Sequence, residues 1–171
     1  MLYFAYALSA AALWLQTIYY PTLPILPFAP FIALSLMLRP FSRAILLACL
    51  AGIGIDLLSS DPLGLHGLSY TLSAAALYRL RNLFSADQPM QLSFYTAIVS
   101  LIVTMLQIGL LFLFDRRVPF CGKWWLTDWA VLPVADAIYA LAWFAGPLAL
   151  FSYIHRTWVI YWLKKNNPSP T

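Results

Sequence analysis

The sequence predicts an all-α integral membrane protein, a bundle of about six transmembrane helices. Three observations carry this reading. Of the 171 residues, 63% are hydrophobic and only 9% are charged, against roughly 25% charged in an ordinary soluble domain. So few charges cannot cover a water-facing surface, so the outside must lie in lipid. Apolar runs of near-spanning length recur along the chain. The ten basic residues are dispersed over the junctions between those runs. That placement is a topology signal, and it argues against nucleic acid as a partner despite the net charge of +4. Nothing marks a domain boundary, so residues 1–171 are read as a single polytopic membrane domain.

A spanning helix needs about 20 mostly apolar residues, with a range of roughly 17–25. Six candidates meet or approach this, near residues 2–20, 22–38, 42–58, 63–80, 91–114 and 129–153. The first starts at Leu2 with no basic leader, and no A-x-A cleavage site follows it, so it is read as a retained helix rather than a signal peptide. In the second, Pro21, Pro24, Pro27 and Pro30 fall three apart, the period of a polyproline II turn, which disfavours an ordinary helix. Two readings stand. One is an irregular or half-inserted element covered by protein and followed by a short helix to Arg39, since non-helical backbone survives at membrane depth only under such cover. The other is a proline-rich loop outside the bilayer. The third and fourth candidates share a tight connection and read as a helical hairpin. Pro133 and Pro147 loosen the sixth.

Orientation follows the basic residues. With six spans and the N-terminus inside, Arg39, Arg43, Arg79, Arg81, Arg156, Lys164 and Lys165 face the cytoplasm, against Arg116, Arg117 and Lys123 outside. Seven against three places both termini in the cytoplasm. Tyr19, Tyr20, Trp124, Trp125 and Trp129 then form an outer aromatic belt, and Trp158, Tyr161 and Trp162 an interfacial end on the inner side.

Three helix faces carry small or polar residues at steps of three and four. Ala44, Ala48, Gly52 and Asp56 form a ridge on the third helix. The fourth carries His66, Ser69, Ser73 and Ala76, and the fifth Ser93, Thr96, Ser100, Thr104 and Gln107. Packing within the bundle is the preferred reading of all three, because small residues let helix backbones approach closely in lipid. A transport pathway or a partner-binding seam is the sharper alternative for the fifth. Asp136 lies about one-third of the way into the sixth helix, with Tyr139, Ala140 and Trp143 on its face. An intramembrane carboxylate is costly and rarely faces lipid. Asp56, His66 and Asp136 all fall toward the outer leaflet, either as a shared cluster or as a solvated helix end, a loop histidine and a separate buried acid.

Enzyme chemistry is missing. There is no G-x-S-x-G elbow, no Walker loop, and only His66 and His155 among histidines, which excludes an H-E-x-x-H protease. Cys49 and Cys121 have no metal-ligand spacing. No catalytic residue, cofactor or metal is expected. The candidate structural or partner-interface residues are Gly52, Asp56, Pro62, Gly64, His66 and Asp136. Asp56 ends the ridge and is expected to accept hydrogen bonds from the fourth helix's first turn. Pro62 suits that first turn, and Gly64 is expected to let the two helices approach closely.

The stretch from Gly52 to Gly67 reads GIGIDLLSSDPLGLHG: an apolar helix ending in G-x-x-x-D, a short polar turn, then P-L-G opening the next helix. This resembles the rod shape-determining protein MreD family. An aromatic-rich first helix, an arginine-bearing turn after the second, and the ending Gly146-Pro147-Leu148 with Arg156 agree with it. The resemblance implies a non-enzymatic protein of the bacterial inner membrane that pairs with the bitopic protein MreC. It implies work beside MreB, RodA and a class B penicillin-binding transpeptidase in rod shape and lateral peptidoglycan synthesis. It also implies a fold similar to the substrate-binding subunits of energy-coupling-factor transporters. That similarity supplies the alternative function, a vitamin-type transporter subunit, which would need an outward pocket with convergent polar groups. Membrane lipid and a second copy of the chain are further candidate partners.

Overall fold

The computed structural model describes residues 2–19, 25–59, 62–84, 88–113, 130–147, 150, 153 and 157–158. Among them the regular structure is entirely helical. Asp61, Cys121, the tryptophans of residues 124–129, His155, Arg156 and the C-terminal lysines lie outside the described residues.

Helix α1, Leu2–Tyr19, runs along the outside of the bundle with only Ala5 and Ser9 buried. Its Tyr6 holds it to the next element through Phe28 at 5.7 Å and Phe31 at 5.5 Å. Helix α2, Ala29–Leu38, is the reverse case: residues 29–36 are all buried. A segment apolar on every side belongs in the interior, and α2 packs against α1, α3, α4 and α5. Pro30 sits in its first turn, where the missing N–H needs no partner. Residues 25–28 ahead of it are not α-helical. The described part of the proline segment is therefore an irregular lead-in and a short helix at the centre of the bundle, not an external loop. At about 1.5 Å per residue its ten residues cover only half of the roughly 30 Å apolar thickness of a bilayer, so residues 22–38 are not one regular spanning helix.

Helix α3, Phe41–Asp56, and helix α4, Leu65–Leu77, make the most extensive pair in the fold, and α4 continues as a 3₁₀ turn from Tyr78 to Leu83. Helix α5, Pro89–Leu113, touches α2, α4 and the last helix. That last helix, α6, Leu132–Tyr139, passes into a π-helical stretch over Ala140–Ala145. Pro147 follows closely and cannot donate to the ladder, and one widened turn is a usual response to such a disruption.

Helices α1 and α5 are long and apolar enough to cross a membrane. The outer surface agrees: Leu46, Leu50, Leu72, Phe94 and Phe112 are exposed, and large exposed apolar patches mark contact with membrane or a partner. The polar residues point the other way. Ser93, Thr96, Ser100 and Thr104 of α5 are buried, and Ser93, Thr96 and Thr104 donate to carbonyls one turn back in their own helix. Ala44, Ala48, Gly52 and Asp56 all face inward. On α4 the expected stripe is partly corrected. Ser69 and Ser73 are buried but Ala76 is exposed, and Tyr70, Ala74 and Leu77 complete the inner face.

Arg81 closes one end of the bundle. Its Nη1 donates to Arg39 O at 2.8 Å, satisfying a carbonyl at the end of α2, and its guanidinium lies 4.2 Å from the Tyr78 ring centroid.

Candidate functional site

The two-helix corner at the other end of α3 is built around one carboxylate. Asp56 is the last residue of α3 and is buried. Its Oδ2 accepts from the backbone N–H of Gly64 at 3.1 Å and of Gly67 at 2.9 Å. Its Oδ1 accepts from the backbone N–H of His66 and from His66 Nδ1, both at 2.9 Å. A carboxylate only accepts, so the ring proton sits on Nδ1. The first N–H groups of a helix have no partner inside it, and α4 has no side-chain cap of its own. Asp56 supplies that cap from the neighbouring helix, with its negative charge at the positive end of the α4 dipole.

The close approach behind this arrangement is at Gly52. A Cβ there would lie 2.5 Å from His66 O, 2.6 Å from Gly67 Cα and 2.7 Å from Gly67 N. All three are backbone atoms, so the space cannot be recovered by moving a side chain. Gly64 plays a different part from the one expected of it. A Cβ on Gly64 would meet nothing within 4 Å, but its φ is +94°, a left-handed conformation that glycine adopts at little cost. Pro62 also stands elsewhere: it precedes α4, and its carbonyl accepts from Leu65 N at 3.1 Å in the lead-in turn.

His66 lies 6.2 Å from the Tyr70 ring, edge to face. Tyr70 is fully buried, and its hydroxyl has no hydrogen-bond partner among the described residues. A cavity of about 330 Å³ is lined by both, together with Gln16, Thr17 and Leu26.

Asp136 serves another pair of elements. It is fully buried on α6. Its Oδ1 accepts from the backbone N–H of Leu26 at 2.9 Å, and its Oδ2 accepts from Ser100 Oγ of α5. One turn on, Tyr139 OH reaches Pro27 O at 3.4 Å. The face carrying Asp136 and Tyr139 thus covers the irregular backbone ahead of α2, whose polar groups have no helix to pair with. Asp56 and His66 come together, while Asp136 forms its own network.

Gly67, Leu26 and Tyr70 were not singled out from the sequence. Gly67 had a usable signal, since Gly52 needs a small partner across the hairpin. A backbone donor such as Leu26 N has none. Asp136→Ala leaves Leu26 N–H unpaired in the interior and is expected to cost about 1–3 kcal/mol. Asp136→Asn, which keeps an acceptor oxygen, should cost less. Thermal unfolding of the detergent-solubilised protein measures both, and a wild-type melting point for Asp136→Ala refutes the tether.

An exposed apolar surface around buried polar groups, most of them paired within the bundle, fits a helical membrane protein whose polar residues hold the bundle together. No curated protein and no solved structure matches the chain. The family model for the rod shape-determining protein MreD matches residues 1–124. The chain belongs to the MreD family, and its class is that of components of rod-shape determination. The match contains α1 to α5 and the whole Asp56 corner; Asp136 lies beyond it.

Proposed function

We propose that the protein is a non-enzymatic component of the bacterial cell-elongation machinery that binds MreC and supports rod shape and lateral peptidoglycan synthesis. The observation that carries this is the family match over residues 1–124, which takes in the Gly52–Gly67 corner. MreB, RodA and a class B penicillin-binding transpeptidase act through that assembly rather than on this chain directly. The bundle sits in the inner membrane with both termini cytoplasmic and six crossings, the second made by α2 together with the irregular stretch ahead of it, in a fold similar to energy-coupling-factor substrate-binding subunits. The corner formed by Gly52, Asp56, Gly64 and His66 shapes the surface that receives a transmembrane or juxtamembrane segment of MreC, through close packing of small residues. Pro62 and Asp136 act at one remove, setting the turn and the α6 position.

Co-purification tests the partnership. A tagged copy expressed at native level should retain an MreC-type protein through detergent extraction, and deletion from a rod-shaped host should round the cells. Normal rods after clean deletion, with no second copy in the genome, overturn the proposal. Topology is read by single-cysteine labelling in intact cells: a cysteine at Ser59 should react with an impermeant thiol reagent and one at Ser169 should not. The transporter-subunit alternative draws on the cavity beside His66 and Tyr70, and tight binding of a vitamin by the purified chain would favour it.

A further inference from the structure

We propose that the groove between the start of α1, α2 and the start of α3 is a binding site for one anionic phospholipid. Arg39 and Arg43 hold its headgroup phosphate, and its acyl chain lies along the apolar wall.

The turn from α2 to α3 builds the polar end. Arg39 caps α2 in extended conformation, with φ −118° and ψ 154°, and Pro40 continues it with φ −65° and ψ 156°. This sets Arg39 and Arg43 on the same groove, with Ser42 between them. The Arg39 carbonyl is already taken by Arg81, which holds the turn without using the Arg39 side chain. Among the described residues, neither guanidinium has an ion pair or a hydrogen-bond acceptor. The two described carboxylates, Asp56 and Asp136, are engaged elsewhere. Arg39 is half-buried and Arg43 exposed, so two unpaired guanidinium groups stand at the mouth of an apolar groove, a placement that suits an anion.

The rest of the groove says which kind. It encloses about 650 Å³ and is walled by Leu2, Tyr6, Phe31, Leu46 and Leu47, within the roughly 300–1,000 Å³ typical of small-molecule sites. A free phosphate would use the arginines and leave this wall bare. A sterol or neutral lipid would use the wall and leave the arginines unpaired. An anionic phospholipid satisfies both, because guanidinium matches phosphate oxygens in bidentate geometry. Basic pockets between helices at a membrane face are suited to such headgroups. Tyr3 stands at the lip, largely exposed, where an amphipathic ring suits headgroup depth.

The site rests on the chain being embedded in membrane, which carbonate extraction of native membranes reads separately. The direct test is native mass spectrometry of the full-length, detergent-solubilised protein titrated with phosphatidylglycerol, phosphatidylethanolamine or inorganic phosphate. Phosphatidylglycerol should bind in preference to phosphatidylethanolamine. The double variant Arg39→Gln, Arg43→Gln should lose affinity by about thirtyfold. Leu46→Trp, which fills the wall and keeps both charges, should also lose the lipid. Arg79→Gln removes one positive charge at a position outside the groove lining and should bind like wild type. Equal binding of the two lipids, equal loss in Arg79→Gln, or arginine-dependent binding of inorganic phosphate with no lipid bound each overturns the proposal.

Discussion

Gly52→Ala should force α3 and α4 apart, and Gly52→Val should do so further. The added Cβ of either variant starts within 2.5–2.7 Å of backbone atoms of His66 and Gly67, so the helices themselves must shift. Overpacking a well-fitted interior usually costs about 1–3 kcal/mol. Here the clash is with backbone, and the shift also pulls Asp56 away from its donors, so a loss of at least about 3 kcal/mol is expected. Gly54 supplies the control. It lies two residues along the same helix, and a Cβ there would meet nothing within 4 Å. Gly54→Ala should therefore be neutral or stabilising by up to about 1 kcal/mol through helix propensity. Melting curves of the three variants in one detergent separate the outcomes. If Gly52→Ala melts with wild type, the close approach of the two helices is not a constraint.

Asp56→Leu should be the other severe change. It leaves the N–H groups of Gly64, His66 and Gly67 and the His66 ring donor without their acceptor. Each buried donor left unpaired costs about 1–3 kcal/mol, and some regain water at this end of the bundle, so a loss of about 3 kcal/mol or more is reasonable. Asp56→Asn keeps one acceptor oxygen and should lose roughly half as much. On the proposed function, retention of MreC should fall in the same order at matched membrane levels. Suppose instead that both variants stay as stable as wild type yet abolish rod shape equally. Then Asp56 carries a proton or a partner contact, and fastening is not its role.

Much of this corner was legible in the sequence because it depends on local spacing. Gly52 and Asp56 are four apart on one helix face, and a carboxylate ending an apolar helix needs donors nearby, which the next helix start provides. The positions of the long helices were legible for a similar reason: Leu2–Tyr19, Phe41–Asp56 and Pro89–Leu113 each fall on an apolar run. The roles of Gly64 and Pro62 were misread. A positive φ and a close approach both select glycine, and the residue type alone cannot separate them. The proline segment left two readings open, because proline spacing gives local conformation and not depth. Asp136 could be recognised as buried from its apolar surroundings, but its partners could not. One is a backbone N–H 110 residues away, and sequence periodicity carries no information across that distance.

That separation bears on how the chain is made. Leu26 leaves the ribosome long before Asp136 exists. At about 5–20 residues per second, the 110 intervening residues take roughly 5 to 20 seconds to synthesise. Through that interval the proline-broken stretch has no acceptor for Leu26 N–H, and α2 is too short to serve as a self-sufficient insertion signal. The innermost helix is thus among the first parts translated and the last to reach its final surroundings. Until α6 arrives, the nascent chain must be sheltered by the insertion machinery or lie near the lipid–water boundary.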